Sequence, residues 1–154
     1  MSILVLAEHD NSELKPVTAS VVAAARAIGG DVTVLVAGKG CAAVGEAAAK
    51  LEGVARVLVA DAEPYAHQLA ENVALLLAEQ ADAFDAVLGP HTTNGKNILP
   101  RVAALLDSAM VSDIVAVEAP DTFKRPISDG NAIATVRCIE NRKVISVRGT
   151  AFDG

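Results

Sequence analysis

Gly89-Pro-His-Thr-Thr-Asn-Gly-Lys-Asn-Ile-Leu-Pro-Arg-Val-Ala-Ala-Leu-Leu106 changes its hydrophobic pattern midway. Ala86 to Leu88, just before it, is a short apolar run, whereas Ile98, Leu99, Val102, Leu105 and Leu106 recur at helical spacing. A buried strand therefore feeds a turn and then an amphipathic helix, which accommodates Pro100 only in its first turn or at a kink. Strand, turn and helix in that order make one unit of an α/β sheet.

The unit repeats upstream. Ile3 to Ala7, Val32 to Ala37 and Val54 to Ala60 are continuous apolar runs, the pattern of buried parallel strands. Between them Val17, Val21, Ala24 and Ile28 share a helical face that stops at Gly29-Gly30. Ala42 to Leu51 is an alanine-rich, thin helix, and Leu69, Val73, Leu76 and Leu77 mark a third face. Four β-α units with right-handed crossovers predict a three-layer, open, mostly parallel, Rossmann-like sheet. Downstream the helices cease: Ile114 to Val117, Thr122 to Ile127, Ala132 to Cys138 and Val144 to Val147 read as strands, at least some of them antiparallel. Asp129-Gly130-Asn131 is a hairpin turn within the basic stretch Phe123-Lys-Arg-Pro-Ile-Ser-Asp-Gly-Asn-Ala-Ile-Ala-Thr-Val-Arg137. Residues 1–154 form a single α/β domain on this reading, with extra antiparallel strands at the C-terminal end.

Composition narrows the class. The chain is 52% hydrophobic but only 3% aromatic, so its core is built from Ala, Val, Leu and Ile, as in helices packed on a parallel sheet. No apolar run approaches the ~20 residues of a spanning helix, which argues against membrane insertion. Cys41 and Cys138 lie far apart and follow no signal peptide, the usage of reduced thiols in a cytoplasmic or matrix-like compartment, and no transit peptide is read. Net charge is −6: residues 1–120 hold seven basic and fifteen acidic groups (−8), residues 121–154 six basic and four acidic (+2). An acidic body argues against nucleic-acid binding, and the basic tail suits either an acidic partner or plain solvation.

Several segments invite a chemical reading. Gly38-Lys39-Gly40-Cys41-Ala42-Ala43 has the spacing of a dinucleotide fingerprint, with Asp61 ending the next strand. It follows the second strand rather than the first, and a plain tight turn explains both glycines. Thr93, Asn94, Gly95 and Lys96 lie at the carboxyl end of the fourth strand, where amides, hydroxyls and an ammonium suit an anion. Equally, Asn94 or Thr93 caps the helix and does nothing more. Glu8-His9-Asp10 and His91 share that rim, yet no spacing demands a metal, and His67 reads as a surface residue of a helix. No nucleophile elbow or activated cysteine is present, so the chain reads as non-catalytic.

Taken in order, Leu4-Val-Leu-Ala-Glu-His9, Val34-Leu-Val-Ala-Gly38, Val57-Leu-Val-Ala-Asp61, Leu99-Pro-Arg-Val-Ala-Ala-Leu-Leu106, the basic hairpin and Val144-Ile-Ser-Val-Arg-Gly-Thr-Ala-Phe152 resemble the N-terminal domain of electron transfer flavoprotein α subunits. The resemblance implies an adenine-nucleotide-hydrolase-like fold and a heterodimer with the electron transfer flavoprotein β subunit. It further implies FAD in the full-length heterodimer, AMP in the β subunit, and a C-terminal FAD-binding domain absent from these residues. Electrons in that family come from acyl-CoA and related dehydrogenases, as in fatty acid β-oxidation, and leave to a quinone oxidoreductase or another acceptor. This domain alone is then expected to bind no cofactor and to act as a scaffold. Arg125, Pro126, Gly130 and Asn131 are the residues expected to shape the partner contact. Ser128-Asp129 departs from the aromatic or small residue common in the family before Gly-Asn. The rival readings are a free-standing adenine-nucleotide-binding domain and a module that oligomerises through its terminal strands.

Overall fold

The computed structural model describes residues 1–154. Four β-α units open the chain: β1 Ser2–Leu6, α1 Val17–Ile28, β2 Asp31–Gly38, α2 Ala42–Ala49, β3 Val54–Asp61, α3 Ala70–Gln80, β4 Ala86–Pro90 and α4 Thr93–Leu105. Then come β5 Met110–Ile114, β6 Ala116–Ala119, β7 Thr122–Ile127, β8 Ala132–Arg137 and β9 Lys143–Val147. Six strands form one sheet in the order β3-β2-β1-β4-β9-β5, and every pairing in it is parallel. β6, β7 and β8 form a separate antiparallel ribbon.

Alternation along the central strands explains the layers. Ile3 and Val5 of β1 and Val32, Val34 and Val36 of β2 point to one face, covered by α1 and α2. Leu4, Leu6 and Leu35 point to the other, covered by α3 and α4. Strands buried on both faces read as unbroken apolar runs because neither side meets water. Gly29 ends α1 with φ 99°, a left-handed cap whose N–H donates to the Ala25 carbonyl at 3.2 Å.

Six readings from the sequence need correction or refinement. Val54 to Ala60 is a strand but not a buried one: β3 is the sheet edge, and Val59 is 46% exposed. Pro100 lies inside α4, beyond its first turn and on its exposed side, so the amide it lacks leaves the Lys96 carbonyl without a helical donor. Leu105 is 52% exposed, and Ala103 takes its place beside Ile98, Leu99 and Val102 in the core. His67 sits in an exposed turn before α3 rather than on a helix. Ile114 to Val117 is not one strand: β5 ends at Ile114, Val115 crosses over, and β6 begins in the ribbon. Val144 to Val147, read with the terminal run, is a central parallel strand lying between β4 and β5.

The ribbon turns where expected, through Ser128–Gly130, with Ile127 opposite Ala132. It is pinned by Phe123, fully buried in the core on the α1 side of the main sheet, and by the Val115 N–H donating to the Lys124 carbonyl at 2.8 Å.

Candidate functional site

Because β1, β4, β5 and β9 are parallel, their carboxyl ends emerge on one rim. The sheet order reverses between β1 and β4, and a crevice opens outside the strand ends at such a switch point. Here it is lined by Pro16, Val17 and Ser20 at the start of α1, His91, Thr92 and Lys96 around the start of α4, Asp113, and Arg148, Gly149 and Thr150 after β9. Its volume is about 600 Å³. A second cavity of about 490 Å³ shares Asp113 and Arg148 and extends along Arg125 to Gly130.

The start of α4 is built by Thr92. Its hydroxyl accepts the Gly95 N–H at 3.2 Å and donates to Glu8 Oε1 at 2.6 Å, tying the helix cap to the end of β1. The cap is therefore Thr92, not Asn94 or Thr93. Gly95 lies so close to the end of β4 that an added Cβ would stand 1.7 Å from the Pro90 carbonyl oxygen. Of the four residues expected to make an anion loop, Lys96 lines the crevice and Gly95 permits the close approach, while Thr93 and Asn94 are not part of the lining.

Beneath Lys96 lies a polar cluster that the sequence reading missed. Asp113 has φ 61°, an uncommon conformation for a residue other than glycine, at an irregularity in the β5 pairing. Its N–H donates to the fully buried Ser146 hydroxyl at 2.7 Å, and that hydroxyl lies 2.9 Å from His91 Nδ1. The serine has one proton and no other acceptor, so it donates to Nδ1 and leaves the His91 proton on Nε2, 4.0 Å from Asp113 Oδ2. Arg148 clasps both Asp113 oxygens, with Nε to Oδ1 at 3.0 Å and Nη2 to Oδ2. Serine, histidine and aspartate thus meet, but not as a hydrolytic triad: the hydroxyl is sealed from solvent and already bonded, and the carboxylate belongs to the arginine. Ser146 breaking the run Val144-Ile-Ser-Val147 was the one signal in the sequence.

Burial holds His91 below its ordinary value, outweighing the pull of Asp113, and the nearby Lys96, Arg148 and Arg125 push the same way as burial. Asp113, through its hydrogen bonds, raises Arg148. His9 is also lowered, by burial. Both of its ring nitrogens are committed, Nδ1 accepting the Asn11 N–H at 2.9 Å and Nε2 donating to the Ala37 carbonyl at 2.9 Å, so no lone pair is left for a metal. The two histidines predict an acid sensitivity. Their folded-state values lie below the unfolded value near 6.5, so the unfolded chain binds more protons as pH falls below that point. Stability is expected to be full above about pH 7 and to decline as pH falls through the window below 6.5. Urea unfolding at successive pH values checks this, and His9→Asn is expected to flatten the decline while lowering stability at neutral pH.

The Gly38 turn is closed by the protein itself. Asp61 Oδ1 accepts the Gly40 N–H at 3.0 Å and Oδ2 the Cys41 N–H at 3.4 Å, placing a carboxylate where the fingerprint would hold a pyrophosphate. Asn11 Oδ1 takes the Lys39 N–H at 3.0 Å. Nor does the surface offer a flavin ring an aromatic face: Phe84 and Phe123 are buried, and Tyr65 and Phe152 pack against the cores.

Of the four hairpin residues expected at a partner contact, Gly130 and Asn131 are exposed at the tip and Pro126 is buried. Arg125 is half-buried, its Nε donating to the Ser112 carbonyl at 2.8 Å. Nearby, Ile127, Ile133 and Ile139 are exposed by 38%, 55% and 82%. No helix is long and apolar enough to cross a membrane.

Comparison with known proteins places these features. Residues 3–154 match the electron transfer flavoprotein domain. The chain is 63% identical over 153 residues to the electron transfer flavoprotein subunit alpha of Pseudomonas aeruginosa, covering 99% of this chain and 50% of the relative. It is 53% identical over 152 residues to the subunit alpha of Bradyrhizobium diazoefficiens and 47% identical over 154 to that of Paracoccus denitrificans. The chain thus spans about half the length of the relatives it matches.

Proposed function

Since the chain belongs to the electron transfer flavoprotein family and corresponds to the N-terminal portion of its α subunits, we propose that it is a single scaffold domain against which a β-type subunit packs. The observation that carries this reading is the match along essentially the whole chain, 99% of it at 63% identity. In the full-length heterodimer FAD carries the electrons, taken from acyl-CoA or related dehydrogenases and passed to a respiratory-chain acceptor such as a quinone oxidoreductase. AMP belongs to the β subunit. The share of these residues is mechanical and electrostatic: they present a rigid surface and leave the redox chemistry to the flavin held elsewhere.

The contact is assigned to the ribbon. β8 is an open edge strand, and the ribbon places Ile133 opposite Pro126 beside the Gly130-Asn131 tip. An isoleucine exposed as Ile133 is on an edge strand, with Ile127 and Ile139 exposed nearby, is an aggregation hazard unless another surface covers it. The basic groups here are partly balanced within the ribbon, Lys124 by Glu118 at 3.1 Å and Arg137 by Asp121 at 2.9 Å, so apolar area carries the contact. Asp61 in the Gly38 turn speaks against the rival that uses that turn for a dinucleotide.

The test mixes the 154-residue chain with an electron transfer flavoprotein β subunit and measures mass by light scattering after size exclusion. A one-to-one complex is expected, with Ile133→Glu weakening it about tenfold or more, as burying an unpaired charge demands. A chain that stays alone, or self-associates with equal affinity in both forms, overturns the assignment.

A further inference from the structure

The two adjoining cavities on the carboxyl rim have a lining unlike the rest of the surface. Val17 is the one hydrophobic residue of the ten around the larger cavity, and one of eight is hydrophobic around the smaller, so an apolar ligand gains little here. Lys96 lines the larger cavity, Arg125 the smaller and Arg148 both, and all three disfavour the charged form of His91. Two carboxylates line the groove: Asp129, exposed at the ribbon turn on the rim of the smaller cavity, and Asp113, which is 8% exposed and has both oxygens in the grip of Arg148. That pair cancels. Lys96 and Arg125 have no carboxylate within 4.0 Å and are the two cations lining the groove that lack one, since Arg148 is paired with Asp113. Arg125 spends its Nε on the Ser112 carbonyl, which holds the side chain in place and leaves its terminal nitrogens unbonded. Ser20 and Thr150 hydroxyls line the larger cavity, and neither bonds elsewhere in the protein.

The chain as a whole is anionic, at −6, so this local excess of cations runs against the global charge. It also lies at the switch point of a parallel sheet, where the crevice outside the strand ends is formed by the topology itself. Asp113 is held in a left-handed conformation with its amide bonded to buried Ser146, an arrangement that fixes Arg148 and spaces it from Lys96.

We propose that this groove is a binding site for a phosphate-bearing ligand, with Lys96 and Arg125 supplying the uncompensated charge, Arg148 fixed by Asp113 as the wall between them, and the Ser20 and Thr150 hydroxyls as further donors. Two neighbouring phosphoryl groups match two joined cavities with a cation in each, so a phosphoanhydride binds more tightly than a single phosphate. The site is distinct from the Gly38 turn, and it does not depend on association with a β-type subunit.

Inorganic pyrophosphate is the probe, titrated into the 154-residue chain and followed by amide NMR, with inorganic phosphate and sulfate in parallel at constant ionic strength. Saturable shifts are expected at His91 to Lys96, at Arg125 and at Arg148 to Thr150, strongest for pyrophosphate. Lys96→Glu and Arg125→Gln are each expected to weaken binding about tenfold or more, the worth of one charge-assisted contact. Lys50→Glu, on an exposed position after α2, is expected to leave it unchanged. His91 gives an independent readout: a bound dianion offsets Lys96, Arg148 and Arg125 and joins Asp113 in favouring the charged ring, so the His91 titration moves upward when pyrophosphate is present. Shifts that do not saturate, equal shifts with sulfate, equal loss with Lys50→Glu, or an unmoved His91 titration would each overturn the proposal. Since Lys96 is exposed and unpaired, its substitution leaves the fold intact.

Discussion

Gly95→Ala is expected to destabilise the chain by about 3 kcal/mol or more, a loss large enough to leave much of it unfolded. The added Cβ would stand 1.7 Å from the Pro90 oxygen and 2.9 Å from its carbon, and both are backbone atoms that cannot rotate aside. Pro90 itself is held in register against Val147 at the centre of the sheet. Relief requires α4 to draw back from the strand, which breaks the Thr92 cap and the link to Glu8 together. Gly29→Ala is the comparison: φ there is 99°, but nothing lies within 4 Å of the new atom, so the cost is conformational and about 1 kcal/mol. Urea midpoints for the two variants decide the matter. Equal losses would mean that the approach of α4 to β4 is looser than described.

The second large effect is at Phe123, where truncation to alanine is expected to cost about 3–5 kcal/mol. This ring belongs by sequence to the ribbon but by packing to the main core, in one cluster with Ile114 and Val147. A cavity there loosens the seam between the two sheets more than either sheet. Hydrogen exchange is therefore expected to accelerate first in β6, β7 and β8, while amides in β1 and β2 keep most of their protection. Uniform loss of protection across both sheets would show that the ribbon and the main sheet open as one unit.

The four β-α units were legible because each signal is local: an apolar run, a helical face, a glycine stop such as Gly29. Burial of an entire strand is not local. Val54 to Ala60 has the composition of an interior strand, and only the sheet order reveals that nothing packs beyond it. For the same reason Val144 to Val147 read as one more strand of a terminal run. Its neighbours in the sheet are β4, far upstream, and β5, beyond the ribbon, and no periodicity in a single segment names such partners. The rim suffered likewise. His91 and Lys96 stood out because they follow a strand, but Asp113, Ser146 and Arg148 come from three separate places in the chain and gain meaning only as a set. Thr92 was passed over in favour of its neighbours because three adjacent residues all suit a cap, and the choice falls to whichever reaches both the Gly95 amide and Glu8. The dinucleotide spacing at Gly38 is genuine, yet it belongs to a tight turn that Asp61 closes.

The position of β9 has a temporal consequence. β1 to β4 are made first and their three pairings need nothing from residues after Pro90. β5, made next, has no partner in the main sheet but β9, which emerges only after the whole ribbon has been made. Until then one flank of β4 is an open template, since the strand that must cover it does not yet exist. During that interval the growing chain risks pairing with another copy of itself, and closing the long loop from β4 to β9 is the slow step that ends the exposure. The ribbon, whose contacts are local, folds within that loop and shortens it, so its early formation brings the final strand within reach of its slot.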